Sequence, residues 1–236
     1  MSVPILCYHK VGPAASLGRF LNVEAATLDT QIRFLQRRGY QFVLACDLAA
    51  RVWPDKTACL TFDDCYLSAV SFGLPVLERL RVVASWYAVS SLVGQSSSWD
   101  GPIAAPLCGW ETLRTLQSMG HEVGNHTAHH LHLGQTAIED QLSELAECDQ
   151  ALREQGLTPG SVCFPYGSYN EVTAGMVERL GYGVGLALGK RLAAEDDDRR
   201  CLPRVVVSYS DSVPLLAYKL FVRARLRRAS PALPGP

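Results

Sequence analysis

ACLTFDDC, residues 58–65, is an apolar run that stops at two adjacent carboxylates, Asp63 and Asp64. Such a run reads as a buried strand of a parallel sheet. Carboxylates at the C-terminal end of that strand open onto the rim where α/β sheets and barrels build their sites. Outward from it, short β-rich runs at 5–9, 42–44, 82–89, 122–125, 162–164, 184–188 and 205–208 alternate with helical patterns. In one of these, Thr136 and Glu139 have capping-box spacing, Ile138, Leu142, Leu145 and Leu152 mark one face, and Gly156 supplies the stop. Another begins at Asn170, turns Val172, Met176, Val177 and Leu180 inward and ends before Gly181. The alternation predicts an α/β fold with a mostly parallel sheet, open or closed into a barrel. No repeat, low-complexity tract or linker divides the 236 residues, so one domain over 1–236 is expected.

Apolar residues make up 48% of the chain and charged ones 19%, a balance that suits a soluble globular protein. The formal net charge of -1 provides no basic field for nucleic acid. The opening MSVPILCYHK has neither a basic lead nor an apolar segment long enough for a signal peptide, and no later stretch is apolar enough to span a membrane. A cytoplasmic protein is expected on that basis. Eight scattered cysteines with no CxxC pair read as reduced packing residues.

Five of the six histidines fall between His121 and His132, in GHEVGNHTAHHLHL. His126 and His130 are four apart, and on a helical turn both rings would share one face, as two ligands of one ion must. His129 and His132 would then support them or lie on the surface. A histidine-rich surface loop would account for the same spacing without a metal. For the paired carboxylates, neighbouring side chains on an extended strand point opposite ways, so one can bind an ion while the other stands off as base, unless the chain turns there. A structural alternative has Asp64 capping a helix that begins near Tyr66.

TFDD at 61–64, HTAHH at 126–130 and CFPYGSYN at 163–170 together resemble the successive motifs of polysaccharide deacetylases with the NodB-type homology domain. YHKV at 8–11 and LPRV at 202–205 are similar to the opening and closing motifs of the poly-N-acetylglucosamine deacetylase branch. The resemblance implies a deformed (β/α) barrel of about seven parallel strands, a divalent ion, and removal of the acetyl group from an N-acetylated amino sugar. It also implies that Asp64, His126 and His130 hold the ion, that Asp63 is the base, and that the Tyr166 N–H, positioned by Pro165, helps hold the oxyanion. Zinc is the default for such a ligand set, with nickel, cobalt or iron also compatible.

The chain departs from the pattern at three points. Cys65 stands where a glycine usually follows TFDD, and reads as a packing thiol or as a further ligand. Cys163 replaces an arginine that orients the base, and Arg204 is the candidate substitute. No histidine follows His132, so the late histidine acid of many members is absent and His9 is the candidate acid. A basic helix at about 212–229, with Leu215, Tyr218, Val222 and Leu226 on one stripe amid Lys219, Arg223, Arg225, Arg227 and Arg228, would seal the barrel or rest on an anionic membrane surface. The expected substrate is an oligosaccharide or a nucleotide- or lipid-linked sugar. Rival readings are another amide or imide hydrolase on the same fold, and a catalytically silent carbohydrate-binding protein.

Overall fold

The computed structural model describes residues 1–223. Parallel strands β1 (Ile5–Tyr8), β2 (Gln41–Val43), β3 (Thr57–Phe62), β4 (Ser85–Ala88), β5 (Glu122–Asn125), β6 (Ser161–Cys163), β7 (Val184–Leu188) and β8 (Leu202–Val206) alternate with helices. The helices are α1 (Ala25–Gln36), α2 (Leu74–Leu80), α3 (Trp110–Ser118), α4 (Ile138–Glu154), α5 (Glu171–Arg179) and α6 (Val213–Ala217). Seven of the strands close a ring in the order β1-β8-β7-β6-β5-β4-β3, shut by the β1–β3 pairing of Ile5–Tyr8 against Cys59–Phe62. Strand β2 lies outside the ring. Cys59 is in register with both Ile5 and Val43, so β2 borders the half of β3 that β4 leaves uncovered, since β4 pairs only at Thr61 and Phe62. The wall is thinnest between β5 and β6, which are in register at a single position, Asn125 with Val162.

Alternation along the strands sorts their side chains. Ile5, Cys59, Tyr87, Cys163, Leu186 and Leu202 pack together inside the ring, whereas Leu6, Leu60, Trp86, Val123 and Val205 face outward against Leu28 and Ile32 of α1, Leu77 of α2 and Leu113 of α3. Each such buried aliphatic contributes about 1.5–3 kcal/mol relative to exposure. A carboxylate at the N-terminal end of the ring, Glu122, is buried but fully bonded: Ser85 and Ser161 donate at 2.6 and 2.7 Å and the Cys46 amide at 3.2 Å. Satisfied in this way, it is a structural group.

Several local expectations are corrected. The Thr136–Glu139 capping box does not form: α4 starts after Ala137, the Thr136 hydroxyl donates instead to the His132 carbonyl, and Ile138 is exposed. Strand β4 starts at Ser85, because α2 ends in the left-handed Arg81 and the chain is still turning at Val82. Strand β8 begins at Leu202, three residues earlier than expected, with Pro203 inside the ladder opposite Ala187. Beyond α6 the backbone widens into a π-type turn over Tyr218–Arg223. There the buried positions are Leu216 and Leu220, while Tyr218 and Val222, expected to face inward, are exposed. Lys219 is paired with Asp211. Arg225, Leu226, Arg227 and Arg228 lie outside the described residues. The helix capped by Asn170 forms as expected, with a reciprocal bond from Thr173.

Candidate metal and hydrolytic site

Strand β3 ends at Phe62, and the next two residues do what an extended chain cannot. Asp63 keeps strand direction, its amide donating to the Tyr8 carbonyl at 2.9 Å, whereas Asp64 and Cys65 adopt left-handed backbone conformations with φ of 67° and 50°. That strained turn brings both carboxylates to one rim instead of to opposite faces. The chain turns helical at Leu67, directly after Tyr66, whose carbonyl accepts the Ala69 amide at 2.9 Å, but Asp64 Oδ1 has no partner and Asp64 does not cap that helix.

His126 and His130 do not lie on a helical turn, contrary to the spacing argument. They sit on the loop after β5, which Asn125 and Thr127 shape: the Asn125 side chain accepts from the Thr127 amide at 2.8 Å and the Thr127 hydroxyl accepts from the His130 amide at 3.0 Å. Left-handed Thr127 and His130, with φ of 68° and 61°, fold the loop back so that both rings still meet. The two Nε2 atoms lie 3.3 and 3.2 Å from Asp64 Oδ1. Asp64 Oδ1 is buried without a hydrogen-bond donor. His126 Nδ1 stands 2.7 Å from the Cys163 carbonyl, which fixes the ring proton there and leaves the Nε2 lone pair facing Asp64. With Nε2 likewise turned toward Asp64, the other nitrogen of His130 donates to the Tyr166 hydroxyl at 3.1 Å. Two imidazole lone pairs and an orphaned carboxylate oxygen converging on one point form a cradle that a divalent cation fits. Burial presses the His126 pKa down, and the Asp64 carboxylate more than reverses this, so a proton is the competitor for that cradle.

Asp63 belongs to a separate cluster. Arg204, only 1% exposed, clamps it from β8 with Nη1 to Oδ1 at 2.6 Å and Nη2 to Oδ2 at 2.7 Å. The Arg204 fork also donates to the Thr61 hydroxyl at 2.9 Å and the Cys163 sulfur at 2.8 Å. Burial pushes the Asp63 carboxyl up, but the adjacent guanidinium outweighs it and holds the group well below the usual carboxylate range. Oδ2 accepts two further contacts, from the Cys7 and Cys163 thiols at 3.3 and 3.5 Å, whereas Oδ1 accepts only Arg204 and keeps a free lone pair. His9, one residue past β1, points to the same rim with Nε2 3.9 Å from Asp63 Oδ2. Burial lowers its pKa despite the neighbouring aspartates, so the resting imidazole is neutral near pH 7.

Tyr166 occupies a left-handed turn, φ 58°, directly after β6 and Pro165. Its half-exposed ring stacks on His132 at 3.7 Å. His129 lies apart, paired with Glu144 at 2.6 Å. Cys65 is buried in the outer core and joins none of the converging donor groups among the described residues, which suits packing and not ligation. All eight cysteines are free.

Three participants escaped the sequence reading. Cys7 and Thr61 each lie two residues before a site residue on the same strand face, a period-2 signal that was there to be used. Trp99, stacked on His130 at 4.0 Å, comes from the serine-rich loop after β4, where a lone tryptophan in a polar segment was the available sign.

The polysaccharide deacetylase family model matches residues 51–185, more than half of the chain. YxkH of Bacillus subtilis (strain 168) is 26% identical over 215 residues, covering 87% of this chain and 71% of that protein. The poly-beta-1,6-N-acetyl-D-glucosamine N-deacetylase of Escherichia coli (strain K12) is 22% identical over 91% of this chain, which spans 38% of that enzyme's length. Among solved structures, IcaB from Ammonifex degensii has a TM-score of 0.78 at 26% identity, with 92% of this chain and 96% of that one covered. The Streptococcus pyogenes deacetylase PplD shares the fold with a TM-score of 0.78 at 22% identity, over 93% and 98% of the two chains. A closed parallel barrel whose rim gathers the TFDD, HTAHH and PYG segments, and a match across most of those segments' span, lead to one assignment: the chain belongs to the polysaccharide deacetylase family.

Proposed function

We propose that the protein is a metal-dependent hydrolase that removes the acetyl group from an N-acetylated amino sugar, within a single domain spanning 1–236. The observation that carries the reading is the orphaned Asp64 Oδ1 facing two imidazole nitrogens, next to a second carboxylate that is clamped, ionised and outside the cradle. Asp64, His126 and His130 would hold the ion, zinc by ligand type. When bound, a divalent ion supplies Lewis acidity that polarises the acetyl carbonyl and acidifies water.

The rest of the chemistry falls to the chain. Asp63 takes the proton of the attacking water at Oδ1, the oxygen with a free lone pair. Arg204 keeps that carboxylate ionised and aimed. The Tyr166 N–H, presented by its left-handed turn, holds the developing oxyanion. His9, neutral at rest with Nε2 3.9 Å from Asp63 Oδ2, picks up the proton that Asp63 took from water and as the acid hands it to the departing nitrogen, and acetate and the free amine leave. The poly-N-acetylglucosamine activity named for the E. coli relative supports an N-acetylglucosamine-type substrate, oligomeric or conjugated.

The test measures acetate released from chitooligosaccharides alongside ring opening of a small cyclic imide, with metal content determined on the same samples. Acetate release with no imide turnover is expected. Asp63→Asn should lose about 10² to 10⁴ in rate while keeping its ion, whereas Asp64→Ala and His126→Ala should lose the ion as well. Equal metal loss in all three variants, or imide opening without acetate release, overturns the reading.

A further inference from the structure

Beside the Asp64 cradle lies a second group of donors that the hydrolytic reading does not need as a set. Cys7, His9 and Asp63 offer one ligand atom each, all within 4.8 Å of one another. Cys7 Sγ is 3.3 Å from Asp63 Oδ2 and 3.9 Å from His9 Nδ1, and His9 Nε2 is 3.9 Å from the same carboxylate oxygen. Bonds of about 2.0–2.3 Å at tetrahedral angles set ligand atoms roughly 3.3–3.8 Å apart; the Cys7–Asp63 edge has that length, and a turn of the His9 ring would bring a single nitrogen toward both partners. The primary cradle, at 3.2 and 3.3 Å, has the same scale.

Two further observations separate this group from ordinary packing. Neither ring nitrogen of His9 has a partner at normal hydrogen-bond distance among the described residues, although only 13% of the side chain is exposed. A largely buried imidazole usually satisfies at least one nitrogen. Cys7 also differs from Cys163, the other thiol at Asp63. The Cys163 sulfur accepts from Arg204 at 2.8 Å and is committed, whereas the Cys7 thiol donates to Asp63 Oδ2 at 3.3 Å and meets His9 Nδ1 at 3.9 Å, and accepts no bond from a cation among the described residues; burial raises its pKa, so an ion binding there must displace its proton.

We propose that Cys7, His9 and Asp63 form a second, thiolate-bearing cation site, and that a soft divalent ion bound there, zinc in excess or cadmium, switches the enzyme off. The thiolate selects for softness. Occupancy engages the carboxylate and the imidazole that the hydrolytic reading assigns as base and acid, and only this inhibitory consequence rests on that reading.

The primary cradle contains no sulfur, so a thiolate-to-metal charge-transfer band reports the second site independently of turnover. The experiment titrates the metal-free 236-residue chain with cadmium, following ultraviolet absorbance, bound equivalents and, in parallel, acetate release at each loading with zinc. Two equivalents are expected, the band growing with the second only, and turnover rising with the first zinc and falling with the second. Cys7→Ser should erase the band, weaken the second equivalent by roughly tenfold or more and remove the falling phase. Cys163→Ser should keep the band. Binding that stops at one equivalent without a band in the unaltered protein overturns the site whether or not Cys7→Ser folds, and so does a band that survives Cys7→Ser. If the band appears with the second equivalent but no loading releases acetate, the site stands and the deacetylase reading fails.

Discussion

Replacing Arg204 by methionine isolates the pair on which the proposed base depends. The change keeps the apolar length of the side chain and removes the two donors at 2.6 and 2.7 Å that hold Asp63, together with those to Thr61 and Cys163. Asp63 is only 3% exposed, so its carboxylate is left buried opposite no cation. Breaking a buried pair from one side costs about 3–5 kcal/mol, and in a chain of this size each kcal/mol lowers Tm by about 2–4 °C, so a fall of about 6–20 °C is expected. Asp63→Asn in the same background removes the stranded charge and should recover a large part of that loss, giving a coupling energy near 3 kcal/mol. Arg204→Lys should recover little, because a point charge cannot reproduce a two-pronged clamp. The sign of the acid dependence follows from the depressed Asp63 pKa: the folded state binds fewer protons than the unfolded one. The pair's contribution is therefore complete above the unfolded carboxylate value of about 3.9 and drains away as pH falls below it. The assay is a double-mutant cycle by urea denaturation at pH 7 and again at about pH 2.5, below the unfolded carboxylate value, where the coupling should be smaller. Single and double variants that add within about 0.5 kcal/mol would falsify the clamp.

Tyr166→Phe removes the acceptor that orients His130 and should weaken zinc binding about 10- to 100-fold by chelator competition while leaving the fold intact. Zinc affinity itself should climb as pH rises through the range just above the ordinary histidine value of about 6.5 and then level off, since the raised His126 pKa makes the proton the competitor below that point; a pH-independent affinity between 5.5 and 8 contradicts the cradle. Gly124→Ala places a Cβ 2.5 Å from the Tyr87 ring and 2.9 Å from the Ser161 carbonyl, inside the ring of strands, and should destabilise by about 1–3 kcal/mol in urea.

Much of this architecture could be read without coordinates, and the reasons differ by element. The strand 57–62 was legible because all six of its residues are buried and a run of that kind has few other uses. The helix starting at Asn170 was legible from its apolar periodicity, although its capping box with Thr173 was not read, whereas the capping pattern at Thr136 misled because the Thr136 hydroxyl donates to the His132 carbonyl instead. His126 and His130 were chosen by a spacing that implied a helix. The rings meet for another reason, two left-handed residues in a loop, which no periodicity announces. The same holds for the Asp64–Cys65 turn, where non-glycine residues take a conformation that composition does not advertise. Arg204 was reachable only through the resemblance of LPRV to a family motif, since it acts across 141 residues of sequence, and for Trp99 the lone tryptophan in a polar loop marked a residue but not its partner His130.

The single register position joining β5 to β6 has a consequence for how the protein withstands heat and denaturant. That gap in the ladder is bridged by His126, whose ring bonds the Cys163 carbonyl across it, and by His130 reaching Tyr166 on the far side. The parts that would grip an ion therefore also rivet the weakest seam of the shell, and an ion bound to them would draw that seam shut. Amide exchange at Val162 and Asn125 should slow on loading far more than at the well-laddered β1–β3 junction.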